Sequence, residues 1–316
     1  MVGVSAFRRS ISLPKPARHS PPPPEKSLHV RSTSLPNRFH PLTAQLKHHL
    51  HALHAWHHSL GPSSSSSSAW LLAGLNRLKL LHHSFDDFLN LPQSRQSLTA
   101  SNRLVDALLD RFLRFADAFG IFRAALVALR EETRATQVAL RSSTRRRRLG
   151  DISDCCCYYS AYLKCRRRLH KEVLLLLGVV RDIDKKAAAV VTTSGDEDQE
   201  EETEVARILM EVSLATVGVS AAVFGAVMGS SSSTSSFMGL LVRRRRKSSD
   251  EEGLIIRELE EASGDELRRL MKREEKTALR RLETLENCVA EFEKESEGVF
   301  RSLIAARVSL LNVLTR

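Results

Sequence analysis

The sequence predicts an all-α protein: an elongated antiparallel helical bundle with long heptad-patterned helices and a disordered N-terminal tail. Three observations predict it. Leu, Ala, Arg and Glu are abundant while aromatics make up only 5%, and those abundant side chains suit helices that pack along one stripe. Almost no stretch alternates apolar and polar residues with β-branched enrichment, as strands require. Apolar residues instead recur at alternating spacings of four and three along two long segments, the mark of a coiled-coil seam. With 316 residues, 42% of them hydrophobic, the chain is long enough for a sizeable core in one large or two small domains.

Residues 1–40 hold seven of the ten prolines, with scattered Ser and Arg and little apolar surface. Proline removes backbone donors, and nothing offsets the entropy of ordering, so this segment reads as a disordered tail. The remainder, 41–316, reads as a helical bundle with flexible inserts near 61–68, 192–203, 230–236 and 243–249. A first helix is expected over 43–60, with Leu46, Leu50 and Leu53 on its apolar stripe. Gly61, Pro62 and the six serines 63–68 end it. A second helix is expected over 69–91, stopped by Pro92. Ser101 would cap a third, running to about Arg141, whose apolar residues include Leu108, Phe115, Phe119, Phe122, Leu126 and Leu129. A fourth is expected over 154–189, and an unusually apolar fifth over 204–228. Ser249 with Glu252, and Ser263 with Glu266, have capping-box spacing and mark two further helix starts.

The last helix is expected over 265–314, roughly 75 Å at about 1.5 Å per residue. Ala278, Leu282, Leu285, Val289, Phe292, Ser296, Val299, Leu303, Ala306, Leu310 and Val313 follow the four-and-three spacing throughout. That repeat puts them on one face of a slightly supercoiled helix. Leu282, Leu285, Val289, Phe292, Val299, Leu303 and Leu310 are therefore the candidate packing seam. Its partner is expected within this chain, because other apolar helices are available.

Charge is unevenly spread. The formal net charge is +11, and Glu25 is the only acidic residue before Asp86. A basic front half favours anionic partners, although ordinary solubility accounts for it equally well. Five cysteines, three of them adjacent at 155–157, have no zinc or redox spacing and fit a reducing compartment better than a secreted disulfide framework. No secretory signal is expected, since no apolar stretch follows the start. Intracellular, cytoplasmic residence follows as the expectation.

Two hexapeptides nearly repeat in the tail: Arg9-Ser10-Ile11-Ser12-Leu13-Pro14 and Arg31-Ser32-Thr33-Ser34-Leu35-Pro36. An arginine three residues before Ser12 or Ser34 suits a basophilic kinase, and the proline two residues after turns the chain out of a binding groove. Ser12 and Ser34 are thus candidate phosphosites, flanked by Arg9, Pro14, Arg31 and Pro36. The pattern fits phosphoserine ligands of 14-3-3-type adaptors.

Other motifs have blander readings. Residues 212–229 contain no charge and include Gly225 and Gly229 at close-packing spacing. They just reach the length of a membrane span, but Ser213, Thr216 and Ser220 make a buried core helix the better reading. The histidines at 48, 49, 51, 54, 57, 58, 82 and 83 lack the Cys or acidic partners that complete a metal site, and read as surface imidazoles. The basic runs 145–148, 166–168 and 243–247 serve as well for loops as for nuclear import. Nucleic-acid recognition is not expected, for want of stacking aromatics or a helix-turn-helix. No phosphate-cradling loop, nucleophile elbow or zinc-protease motif is present, so no catalytic residue and no cofactor is expected.

Finally, the chain resembles a plant-specific uncharacterised family grouped with the BYPASS proteins. The matching stretches are His29-Val30-Arg31-Ser32-Thr33-Ser34-Leu35-Pro36-Asn37-Arg38 and His40-Pro41-Leu42, then Phe85-Asp86-Asp87-Phe88-Leu89-Asn90-Leu91-Pro92 and Leu104-Val105-Asp106-Ala107-Leu108-Leu109-Asp110, and the end from Phe300 to Asn312. The resemblance implies a helical land-plant protein with a role in root and shoot development and no established catalytic residues. The histidine-rich first helix, the serine run and the cysteine run look like departures from the family. A non-enzymatic protein acting through protein contacts is the resulting expectation, with membrane anchoring through 212–229 or nuclear regulation as alternatives.

Overall fold

A computed structural model describes residues 40–59, 67–100, 102–147, 155–191, 200–228, 255–262 and 264–315. All belong to one structural unit, Pro36–Arg316. Among the described residues the fold is all-α, with α1 Pro41–His58, α2 Ser67–Leu89, α3 Pro92–Ala100, α4 Asn102–Arg147, α5 Cys155–Val191, α6 Glu200–Met228, α7 Arg257–Glu261, α8 Gly264–Arg273 and α9 Glu275–Leu314. The tail motifs, with Arg9, Ser12, Pro14, Arg31, Ser34 and Pro36, lie outside the described residues, as does the basic run 243–247.

Helix α1 begins where Pro41 supplies a preset φ and no wasted donor. His40 caps it, with Nδ1 accepting from the Leu42 amide at 3.2 Å. Its stripe of Leu46, Leu50, Leu53 and Trp56 is buried. Trp56 stacks on Trp70 with ring centroids 4.0 Å apart and donates from Nε1 to the Trp70 carbonyl at 2.9 Å. Gly74 makes this possible: a β-carbon there would lie 2.2 Å from Cζ2 of Trp56.

The long helices form the bundle. α4 has 46 residues, about 69 Å at the usual rise, and α9 has 40. They run antiparallel, because their ion pairs climb one helix while descending the other: Arg123 to Glu297 at 2.7 Å, Arg130 to Glu293 at 2.6 Å, Arg134 to Glu286, and Arg141 to Glu283 at 2.6 Å. α2 runs parallel to α9 on its other side, through Lys79 with Glu295 at 3.0 Å and Asp86 with Ser309. α6 runs parallel to α4. Arg111 approaches Met210, and further along Phe119 and Phe122 meet Phe224 at 5.6 and 5.0 Å. α5 pairs with α4 and α6. Helices joined directly in sequence thus reverse direction, while two pairs distant in sequence run alongside.

Three expectations change. Pro92 does not only stop α2; it opens the short helix α3, since the first turn needs no amide from it. The serine run yields its last two residues to α2: Ser67 donates to the Ile255 carbonyl and Ser68 to Glu258 at 2.8 Å. The expected final helix, 265–314, is broken at Glu274, where φ is −133° and ψ is 65°. Extending the seam backward in a straight helix would bring Arg268 and Glu275 into the core. The break instead lets α8 turn Leu267 and Leu270 inward beside Met271, which a straight helix would also bury.

Short α7 gathers the bundle at one end. The Ile256 amide donates to the Ala226 carbonyl at 3.3 Å. Tyr162 of α5 donates to the Ala262 carbonyl at 2.7 Å, and Arg281 of α9 to the Glu261 carbonyl at 3.1 Å.

Candidate functional site

The candidate packing seam occupies the inward face of α9. Leu282, Leu285, Val289, Phe292, Val299, Leu303 and Leu310 are all buried, with the intervening Ala278, Ser296, Ala306 and Val313. The covering helices are α4 and α2 of the same chain. Each fully buried Leu or Phe contributes about 1.5–3 kcal/mol relative to exposure, so the seam is a large share of the core. The third-helix stripe that includes Phe115, Phe119, Phe122, Leu126 and Leu129 is buried opposite it.

One polar cluster crosses this core, and it overturns an expectation. His82 is not a surface imidazole. Its place on α2, between Leu78, Leu81 and Phe85, turns it inward, where it is fully buried. Nδ1 lies 3.1 Å from the Ser302 hydroxyl of α9 and Nε2 lies 3.0 Å from the Thr216 hydroxyl of α6. Both hydroxyls also reach carbonyls of their own helices, Ser302 to Val299 and Thr216 to Val212, each at 2.8 Å. Burial pushes the imidazole down to about 3, with a smaller push from His83. A neutral ring donates through one nitrogen and accepts at the other. One hydroxyl therefore turns its proton to the ring while the other keeps its backbone carbonyl. The three side chains tie α2, α6 and α9 together in one register. A serine beside a histidine has the makings of a nucleophile and base, but Ser302 and His82 are sealed from solvent.

A cavity of about 320 Å³ opens where α5, the end of α6 and α7 meet. Leu169, Met228, Ile256 and Leu259 supply apolar wall, and Arg166, His170 and Glu260 supply charge or polarity. No motif in the sequence marked it, because its walls come from three separate stretches. Beside it, burial pushes the Tyr162 hydroxyl up to about 12.

The remaining sequence candidates are dispersed. His48, His49, His57 and His58 lie along α1, and desolvation lowers His49 and His57. Among the described residues no group of three His, Cys, Asp or Glu is placed to hold a metal ion. Cys157 is exposed, Cys165 half-buried and Cys288 buried, with burial pushing the Cys288 thiol up to about 12. α6 is long and apolar enough to cross a membrane over Glu204–Met228, but 78% of its most apolar window is buried inside the bundle. Ser213, Thr216 and Ser220 are buried on it with Val217, Ala221 and Phe224.

No curated protein and no solved structure matches the chain. A family model described as Protein BPS1 matches residues 74–313, which run from α2 through almost the whole of α9. That stretch includes the resemblance segments from Phe85 onward and leaves the two earlier ones, 29–38 and 40–42, outside. Three quarters of the chain, including the α2, α6 and α9 cluster and the whole seam, fall within the match, and the chain belongs to the BPS1 family.

Proposed function

We propose that this protein is a non-enzymatic plant protein that acts through protein–protein contacts in root and shoot development, from within the cytoplasm, with a phosphorylation-regulated N-terminal tail. Membership of the BPS1 family over residues 74–313 carries the reading. The sealed His82–Ser302 pair supports the non-enzymatic part, since no substrate reaches it. The duplicated R-S-x-S-L-P motif supports the regulatory part. Its two copies precede the matched region, so phosphate on Ser12 and Ser34 would recruit a 14-3-3-type adaptor without altering the bundle.

The test uses the full chain, phosphorylated by a basophilic kinase and titrated with a 14-3-3 protein. Binding should rise at least about tenfold on phosphorylation and be lost in the Ser12→Ala/Ser34→Ala variant. Equal binding before and after phosphorylation would remove the adaptor from the reading. In the plant, loss of the gene should disturb root and shoot growth, and the double-alanine chain should restore it incompletely. Membrane anchoring through 212–229 is the second reading, favoured by the composition of α6 and opposed by its burial. A carbonate wash that leaves the chain in the membrane pellet would favour the anchor.

A further inference from the structure

Among the described residues, α5 is covered on one side and bare on the other. Its inward positions, among them Tyr162, Leu169, Val173, Val180 and Ile183, are buried at three-and-four spacing. Its outward positions follow the same repeat through 164, 167, 168, 171, 174, 175, 178, 181, 182 and 185. Six of these ten are cations: Lys164, Arg167, Arg168, Lys171, Arg181 and Lys185. Asp182 is the one acid among them. Arg168 is answered by Glu172 at 2.8 Å. Glu131 and Glu132 of α4 lie near one edge, close enough to act on Cys165.

Two leucines sit in the middle of this cationic row. Leu174 is 51% exposed, and Leu175 at 71% is the most exposed large hydrophobic among the described residues. A single exposed leucine needs no explanation. An adjacent pair on the ridge of a helix, bracketed by cations on both sides, combines two kinds of contact surface. A second copy of the chain does not suit it, because a two-fold contact along the ridge would set cations against cations. A groove-bound acidic peptide does not suit it either: the face is the convex outside of one helix. A lipid surface with anionic headgroups meets both demands. Headgroup phosphates and carboxylates answer the cations, and the two leucines enter the acyl boundary.

We propose that the outward face of α5 is a peripheral membrane-binding surface for anionic lipids, with Leu174 and Leu175 as the inserting residues and Lys164, Arg167 and Lys171 as the principal headgroup contacts. The surface is independent of the tail serines, and it lies on the membrane rather than spanning it.

Flotation of the full chain with vesicles tests this. Vesicles of phosphatidylcholine with phosphatidylserine should carry the protein up the gradient, and pure phosphatidylcholine should not. Raised salt should release it, since screening shortens the reach of surface charge. The variants Lys164→Glu/Arg167→Glu/Lys171→Glu and Leu174→Ser/Leu175→Ser should each weaken binding about tenfold or more while leaving the melting temperature unchanged, as all five positions are exposed. Failure to float with anionic vesicles would overturn the proposal, as would flotation insensitive to the leucine change. Equal binding to neutral vesicles that survives carbonate would assign the membrane contact to α6 instead.

Discussion

α9 and α5 are built on the same repeat and end in opposite situations. Both carry apolar residues at three-and-four spacing, and both bury that stripe. α9 lies between α4 and α2, and its flanking glutamates are matched across the helix boundary by Arg123, Arg130, Arg134, Arg141 and Lys79. α5 packs on α4 and α6, and among the described residues its other side stays exposed, with cations that outnumber acids. The repeat therefore tells which face of a helix is apolar. What lies against the opposite face depends on where the helix sits, and only the tertiary arrangement decides that.

The sharpest way to break the contrast is to charge the α9 seam. Leu303→Asp with Leu310→Asp places two unpaired carboxylates in a buried face, at a cost of several kcal/mol each. The monomer should lose its cooperative thermal transition by circular dichroism. Clean dissociation of a folded dimer would show instead that the seam joins two chains.

Next in size is the response of the His82 cluster to acid. The folded pKa lies near 3, below the ordinary imidazole value of 6.5. The native state thus excludes a proton that the unfolded state binds. This contribution is fully present above pH 6.5 and is lost as pH falls toward 3, with a slope of about 1.4 kcal/mol per pH unit in between. Glu204, held near 2 chiefly by a hydrogen bond from Arg207, adds acid sensitivity of its own below its ordinary value. His82→Gln should be less stable at neutral pH, yet its melting temperature should depend less on pH between 6 and 4 than that of the wild type. Parallel profiles for the two would argue that the ring is charged in the fold.

Gly74→Ala should cost about 1–3 kcal/mol by displacing Trp56 from its stack, read as a drop in melting temperature with altered tryptophan fluorescence. Unchanged fluorescence would show that Trp56 yields without leaving Trp70. The smallest effects belong to the surfaces under comparison. Glu286→Gln should cost below about 1 kcal/mol, and Leu175→Ser should stay within about 0.5 kcal/mol. A larger loss from Leu175→Ser would mean that something in the chain covers α5.

Much of the core could be read from the sequence, because burial follows the repeat. All eleven seam positions from Ala278 to Val313 are buried, as counting alone expects. The break at Glu274 was less legible. The charged stretch from Lys272 to Lys276 interrupts the seam, yet it carries no proline or glycine to announce a stop. His82 was misread for a different reason. Six histidines on α1 face mostly outward, whereas His82 stands four residues after Leu78 and three before Phe85 on the apolar stripe of α2; the partners that satisfy it there, Thr216 and Ser302, are more than a hundred residues away. The tight approach at Gly74 and the cavity beside Tyr162 were equally hidden, since each joins parts of the chain that are not neighbours in sequence. For the bare face of α5 the cations and the leucines were in plain view, and what was missing was the knowledge that no helix among the described residues covers them.

The central placement of α9 has a consequence for the order of events at the ribosome. Translation proceeds at about 5–20 residues per second, so α2 and α4 are made well before the helix that covers them both. Until then, the sides of α2 and α4 that α9 covers await a partner that has not been synthesised. A stop codon anywhere before residue 275 would make that wait permanent. Shortened products of this gene should therefore be cleared by quality control rather than persist as partial proteins, even when they retain the whole tail and most of the helices.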